Sequence, residues 1–460
     1  MEKNKREIYS LNGLPPEVVA VAFAKCSRSP ESFQDIADEL TDETSADFSE
    51  KWIVGYGHSS VAEHAVFSLA IENVSILATK VIEDNRLCSY TEKSTRYQVY
   101  DRDKYYKPNN ILKSKYGKLY IETCDFLMDT YNNLYEPMNE FIVKKFPKEN
   151  DVADKLHAAR LKAKTCDNVR YILPVATLTN LGMTANARNL EYAIAKLLSH
   201  PLEEMQQIGE ELKVAAQKVT PTLIKYANLN EYLKETTDEL TKMTNKILPI
   251  HDIETSKPVE LIDFDQDADD KLVTTLLYRF SDFPYKQVQR NVKKMEQKEK
   301  EEVIDIALKR LGKFDRPLRE LEHINYTFDI LLDYGAFRDI QRHRMCTQTN
   351  QMVTTKHGYE IPDEIEEARL KDYYVECMEK SQNAFEKIHA DFPQEAQYVA
   401  SLAFRKKVLF TWNLRELHHF VKLRTGPTGH ISYRRIAYSV WEEIEKVHPL
   451  LAKYIDVTKL

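Results

Sequence analysis

Arg342-His343-Arg344 sets two guanidinium forks on either side of an imidazole. Such groups repel one another unless anions hold them together, and phosphates would do so. A solvated basic stretch and a buried ion-pair knot are the blander readings of the same residues. The surrounding segment, QRHRMCTQTNQM from Gln341 to Met352, aligns with NRLCSYTEKSTRY from Asn85 to Tyr97, so one element occurs twice. Adjacent His418 and His419 would point to different sides of a helix, and no metal site is expected there. RTGPTGHISYRR, from Arg424 to Arg435, lacks the spacing of a phosphate loop and reads as a turn before the last helix. His64 and His323 read as core histidines with hydrogen-bond partners.

The elements that must position these groups are mostly helical, because glycine is scarce and amphipathic periods are long. Helices are expected over Glu17–Cys26, Tyr116–Phe146, Ala187–Leu198, Leu202–Tyr226, Glu364–Ala390 and Ile436–Val447. Alternating or β-branched runs at Ala65–Ile71 and Tyr326–Leu331 read as strands. Residues 231–270 are polar, contain Pro249 and Pro258, and are expected to link a domain at 1–230 to one at 271–460. The two flanking segments resemble each other in order. VVAVAFAKCSRSPESF from Val18 matches LVTTLLYRFSDFPYKQ from Leu272. VAEHAVFSLAI, with Glu63 and His64, matches RELEHINYTFDI, with Glu322 and His323. TANARNLEYAIAKL, with Asn186 and Arg188, matches TWNLRELHHFVKL, with Asn413 and Arg415.

A chain of 460 residues suits two domains better than one core. Its formal net charge of −7 implies no general affinity for polyanions, and no nucleic-acid partner is expected. The six cysteines form no C-x-x-C pair and read as reduced thiols of a cytoplasmic protein. The N-terminus is too polar for a signal peptide, and no apolar run is long enough to span a membrane.

Taken together, the motifs resemble the flavin-dependent thymidylate synthase (ThyX) family. That family carries R-H-R-x-x-S-x-x-E-x-S-x-R-Y, with G-H-x-x-x-x-E-H upstream and R-x-x-L-P, N-x-R-x-L and H-F-x-x-L-R downstream. This chain has Gly57-His58 with Glu63-His64, then Ser89, Glu92, Ser94, Arg96 and Tyr97, then Arg170 with Leu173-Pro174, and Asn186 with Arg188. Its second half has Arg342-His343-Arg344, Asn413 with Arg415, His419-Phe420 and Leu423-Arg424. Neither half is complete. Asp84-Asn85-Arg86 stands at the first R-H-R and Leu197 at the first late arginine. Thr347, Asn350, Met352 and Thr354 replace the second Ser, Glu, Ser and Arg, and Gln397 replaces the second Arg170. What one half has lost, the other has mostly kept.

The resemblance implies an α/β (α+β) fold of two tandem ThyX-like domains, each a mixed sheet with packed helices, forming a pseudo-dimer. Two chains would pair as a homodimer into a pseudo-tetramer. It implies reductive methylation of dUMP to dTMP, with FAD as cofactor and NADPH and methylenetetrahydrofolate as co-substrates. Arg424 would be catalytic, stabilising negative charge on the uracil. Glu92, Ser94, Arg96, Arg170, Asp339 and Arg342 would bind the nucleotide. His58, Ser60, Arg342, His343, Arg344, Asn413, Arg415 and His419 would bind FAD. Asp339 departs from the family, which usually has glutamine there. Another pyrimidine nucleotide as substrate, and a silent homologue that binds nucleotide or flavin, remain open alternatives.

Overall fold

The computed structural model describes residues 6–40, 42–50, 59–148, 152–248, 253–254 and 256–460. Its strands are β1 (Val66–Ser75), β2 (Ser89–Glu92), β3 (Leu178–Asn186), β4 (Val259–Phe264), β5 (Asn325–Asp333), β6 (Cys346–Asn350) and β7 (Arg405–Asn413). Two compact units emerge. The first comprises Met1–Ser94, Tyr105–Ser114 and Ala176–His251; the second comprises Thr95–Lys104, Lys115–Val175 and Asp252–Leu460.

The first unit holds a sheet of order β1-β3-β2, and the second holds one of order β4-β5-β7-β6. Every ladder is antiparallel, which corrects the expected mixed sheets. The helix Ile76–Ile82 connects β1 to β2, as a parallel crossover would, but β3 from much later in the chain lies between them. The same happens in the second unit, where β7 separates β5 from β6. Burial alternates along β3 and β7, as expected of strands with one covered face.

The duplication survives in the register. Asn186 ends β3 opposite Val66, and Asn413 ends β7 opposite Asn325. Each asparagine caps the helix that follows, Ala187–Leu198 or Leu414–Arg424, by accepting the N–H three residues on at 2.9 Å. Ser89 faces Thr184 and Thr347 faces Thr411; Glu92 faces Leu181 and Asn350 faces Val408. These are the pairings that the sequence correspondence requires.

Within the second unit, equivalent residues of the two repeats meet. Pro174 bridges Ser401, Val175 N–H donates to Ala400 O at 2.8 Å, and Leu402 N–H donates to Leu173 O at 2.9 Å. The helix Gly117–Lys145 packs on the helix Lys371–His389 and on the 3-10 turn Glu395–Val399, while Lys371–His389 packs on the matching turn Arg170–Ile172. This reciprocity is that of an isologous contact. It also explains why helices from before residue 230 belong to the second compact unit.

Other boundaries differ from the sequence reading. The stretch 231–270 holds the helix Glu231–Ile247 and β4, which pairs with β5. The helix begun at Leu202 ends at Gln217, ahead of Thr220-Pro221. Glu364–Ala390 is two helices, Asp363–Glu367 and Lys371–His389, separated by Arg369 at φ 59°. The helix expected from Ile436 already starts at Ile431. His64 and His323 are exposed rather than core residues, because each ends a 3-10 turn ahead of its strand. Among the described residues, no helix is long and apolar enough to cross a membrane.

Candidate functional site

A dense cluster of charge lies in the second unit. Arg96 forms a bidentate pair with Asp167, Nε to Oδ1 at 2.7 Å and Nη2 to Oδ2 at 2.8 Å, and Nη2 also reaches Thr428 O at 3.4 Å. Arg170, one helical turn beyond Asp167, lies 3.9 Å from the same carboxylate. Burial alone would raise the Asp167 carboxyl, but Arg170 and Arg96 outweigh it and hold it below its ordinary value. The Arg96–Asp167–Arg170 triad therefore carries one positive charge in excess.

Arg170 is 2% exposed, and its Nε and Nη2 have no hydrogen-bond partner. A buried guanidinium with idle donors is destabilising in the absence of an anion. Gln397, the residue at the matching position of the second repeat, is satisfied: its Oε1 accepts Val353 N–H at 3.2 Å and its Nε2 donates to Gln394 O at 2.9 Å.

A second knot surrounds His343. Its Nδ1 donates to Glu416 Oε1 at 2.9 Å, and its Nε2 accepts from Arg424 Nε at 2.9 Å. Burial and the neighbouring Arg424 push the imidazole well below its usual pKa, so it is neutral. The ring rests edge-on against Phe420, which stacks on Trp412 and so on the sheet core. Arg424 also donates from Nη2 to Asp339 O at 2.5 Å, and its Nη1 lies 3.7 Å from Asp339 Oδ1.

The helix Ile431–Val447 ties the knots together. The Arg424 guanidinium lies 5.2 Å from the Tyr433 ring centroid, and Tyr433 acts electrostatically on Arg96 as well. His430 caps this helix and is pushed down to about 3 by burial and Arg170. Ser432 donates to the buried Asp333, whose carboxyl burial raises to about 6. A cleft of about 280 Å³ opens beside Asp167, Tyr171, Glu360, His430 and Ser432.

The structure thus brings Arg96, Arg170, Asp339, His343 and Arg424 into one region, with Arg342 exposed at its edge and His419 exposed 5.3 Å from the His343 ring. Arg344 is half-buried nearby. Two residues expected to bind FAD are engaged elsewhere. Asn413 is a helix cap, and Arg415 pairs with Glu322 at 2.6 Å and donates to Pro317 O at 2.8 Å. The first repeat has the same pair, Arg188 with Glu63. In the first unit, Glu92 accepts from Lys80 at 3.0 Å and Thr79 at 3.1 Å, Ser94 is half-buried, and Ser60 is exposed. His58 lies outside the described residues. Sequence reasoning missed Asp167, Glu416, His430 and Tyr433. The signal for the last two was the stretch RTGPTGHISYRR, dismissed as a turn.

The family profile described as Thymidylate synthase complementing protein (Thy1) matches residues 10–222 and again residues 260–450. The chain belongs to this family. Its two matched regions make it a tandem Thy1/ThyX protein. A UPF0159 protein of Chlamydia pneumoniae is 32% identical over 99% of this chain and 92% of its own length. A flavin-dependent thymidylate synthase of Clostridium tetani is 27% identical over 46% of this chain and 82% of its own. A crystal structure of the Helicobacter pylori ThyX complexed with FAD and dUMP is 16% identical, with a TM-score of 0.33, over 44% of this chain and all of that one.

Proposed function

We propose that this tandem Thy1/ThyX protein is a flavin-dependent enzyme acting on a pyrimidine nucleotide, with methylation of dUMP to dTMP as the leading reaction. The observation that carries the reading is Arg170: a buried guanidinium with two idle donors, in a triad with Asp167 and Arg96 that has excess positive charge. A nucleotide phosphate would supply the missing acceptors. FAD, if bound, supplies the redox chemistry, with NADPH as reductant and methylenetetrahydrofolate as carbon donor.

The chain's own residues orient and polarise. Arg96 and Arg170 grip the phosphate and sugar. Arg424, held rigid by His343 and Asp339, stabilises negative charge on the base. Neutral His343 accepts from Arg424 and is itself fixed by Glu416, so the guanidinium points in one direction without competition from an imidazolium. The exposed Arg342 and His419 flank that knot and suit the flavin.

The Asp339 carboxylate beside Arg424 favours a second reading. Where the family usually has glutamine, which both donates and accepts, the Asp339 carboxylate only accepts, so a base edge richer in donors than that of uracil could be the one recognised.

Titrating the purified chain with FAD, followed by anaerobic reduction and a panel of pyrimidine nucleotides, tests the proposal. Flavin absorption and nucleotide-dependent reoxidation are expected, with calorimetry saturating at one nucleotide per chain. Failure to take up FAD would sink the enzyme readings, and saturation at two per chain would sink the composite site.

A further inference from the structure

The helix Glu231–Ile247 is anchored to the first unit at its start. Asn230 caps it by accepting Leu233 N–H at 3.2 Å, and Asn230 N–H donates to Ser199 Oγ at 2.8 Å. Beyond that anchor the helix buries none of its residues. Its apolar groups are not scattered. Leu233, Leu240, Met243 and Ile247 lie on one face at heptad spacing, with the polar Thr236 at the remaining seam position and only Tyr232, the exposed aromatic near the helix start, off it. Leu240, Met243 and Ile247 are 61%, 50% and 63% exposed. An uncovered apolar seam of this kind is a surface for a partner helix.

Charge along the helix identifies the partner. The N-terminal half carries Glu231, Glu235, Asp238 and Glu239 against one lysine, Lys234, and the C-terminal half carries Lys242 and Lys246 with no acid. Laid parallel, two copies would set like charge beside like. Laid antiparallel, each acidic half lies along a basic half. With Leu240 packed on Met243 of the second copy, Thr236 meets Ile247, and Glu239 flanks Lys246. Both relations occur twice by symmetry, so the contact closes on itself.

We infer that the helix Glu231–Ile247 is a self-association element, pairing antiparallel with the same helix of a second copy of this chain. The inference does not depend on the flavin reading, since no residue of the helix belongs to the candidate site. The test is disulfide trapping in the full chain. Glu239→Cys and Lys246→Cys are made separately, and each is oxidised alone and in an equimolar mixture. A crosslinked dimer specific to the mixture is expected, because position 239 neighbours 246 of the other copy and not itself. Equal crosslinking of Glu239→Cys alone would indicate parallel pairing and overturn the inference. Leu240→Glu provides a second reading, as the position is exposed and the fold does not depend on it. Light scattering should show its dimer dissociating at concentrations at least tenfold higher than for the unsubstituted chain. An unchanged mass across that range, or a wild-type chain that is monomeric, would overturn the inference as well.

Discussion

Arg170 and Gln397 occupy matching positions in the two repeats, yet one has idle donors and the other has every polar atom engaged. A hydrogen bond to a charged group contributes about 1.5–3 kcal/mol, so the difference is large enough to measure. Arg170→Met keeps much of the volume and removes the buried charge. Without ligand it should leave the thermal midpoint unchanged or higher, because a buried cation with two idle donors is lost while Arg96 still pairs with Asp167. Nucleotide affinity should fall about 10- to 100-fold, read by calorimetry. A lowered midpoint together with unchanged affinity would mean that Arg170 is a structural residue. Arg170 and Arg424 were legible from their motifs alone. Asp167 and Tyr433 were not, because a charge's partner is chosen by folding and these lie far from Arg96 in sequence. The pairing of Arg415, expected to bind FAD, was not legible for a related reason. Its mirrored pair in the first repeat, Arg188 with Glu63, shows that the arginine ties the turn before one strand to the helix after another. Comparing the repeats could have suggested that role.

Element types were easier to read than element ends. β1 and β5 announced themselves by alternation or β-branching, but β2, β3, β6 and β7 were not read as strands, and β4 lies in the stretch taken for a linker; the asparagine caps fix where β3 and β7 give way to helix. The order of strands was not legible, since nothing in β1 or β2 tells that a later strand separates them. Nor was the break after Asp363–Glu367. There Leu370 N–H returns to Ile365 O at 3.0 Å and Arg369 takes φ 59°, the left-handed cap that favours glycine. Arg369 has a Cβ in that conformation, which costs about 1–2 kcal/mol. Arg369→Gly should therefore stabilise the chain by about 0.5–1 kcal/mol, after allowing for the greater freedom of glycine when unfolded. Denaturant unfolding should show a higher midpoint at unchanged slope. A lower midpoint would mean that the arginine side chain contributes more than its backbone loses.

For the molecule as a whole, buried histidines set the response to acid. His200, His418 and His430 are held neutral, at about 4, about 4 and about 3, by burial first and neighbouring cations second. Their pKa values are lower folded than unfolded, so the unfolded chain takes up protons first as pH falls below about 6.5. The stability they contribute is full above that value and drains away towards pH 4. At pH 5 each costs about 2 kcal/mol relative to neutral pH. Asp333 runs the other way: its carboxyl, raised to about 6, favours the folded state more as pH falls, as do the raised carboxyls of Glu191, Asp269 and Glu416, while His343, His357, His389 and His448 are lowered along with the three. Thermal midpoints should drop steadily from pH 6.5 to pH 4.5; a flat profile would mean that these rings are hydrated.

Asp333 also bears on how the repeats have aged. At the start of the helix after β5, Asp333 accepts Ala336 N–H and the Ser432 hydroxyl. At the matching place after β1, Ser75 accepts Ala78 N–H and donates to Glu204. Acid and hydroxyl have changed sides. A genetic exchange that copied one repeat's strand over the other's would bury two carboxylates against each other in one product, or leave two hydroxyls and no carboxylate in the other. The first product is strongly disfavoured by like-charge repulsion in a dry setting. Copying in that direction is therefore disfavoured at this place, so the exchanged pair favours continued divergence of the two repeats.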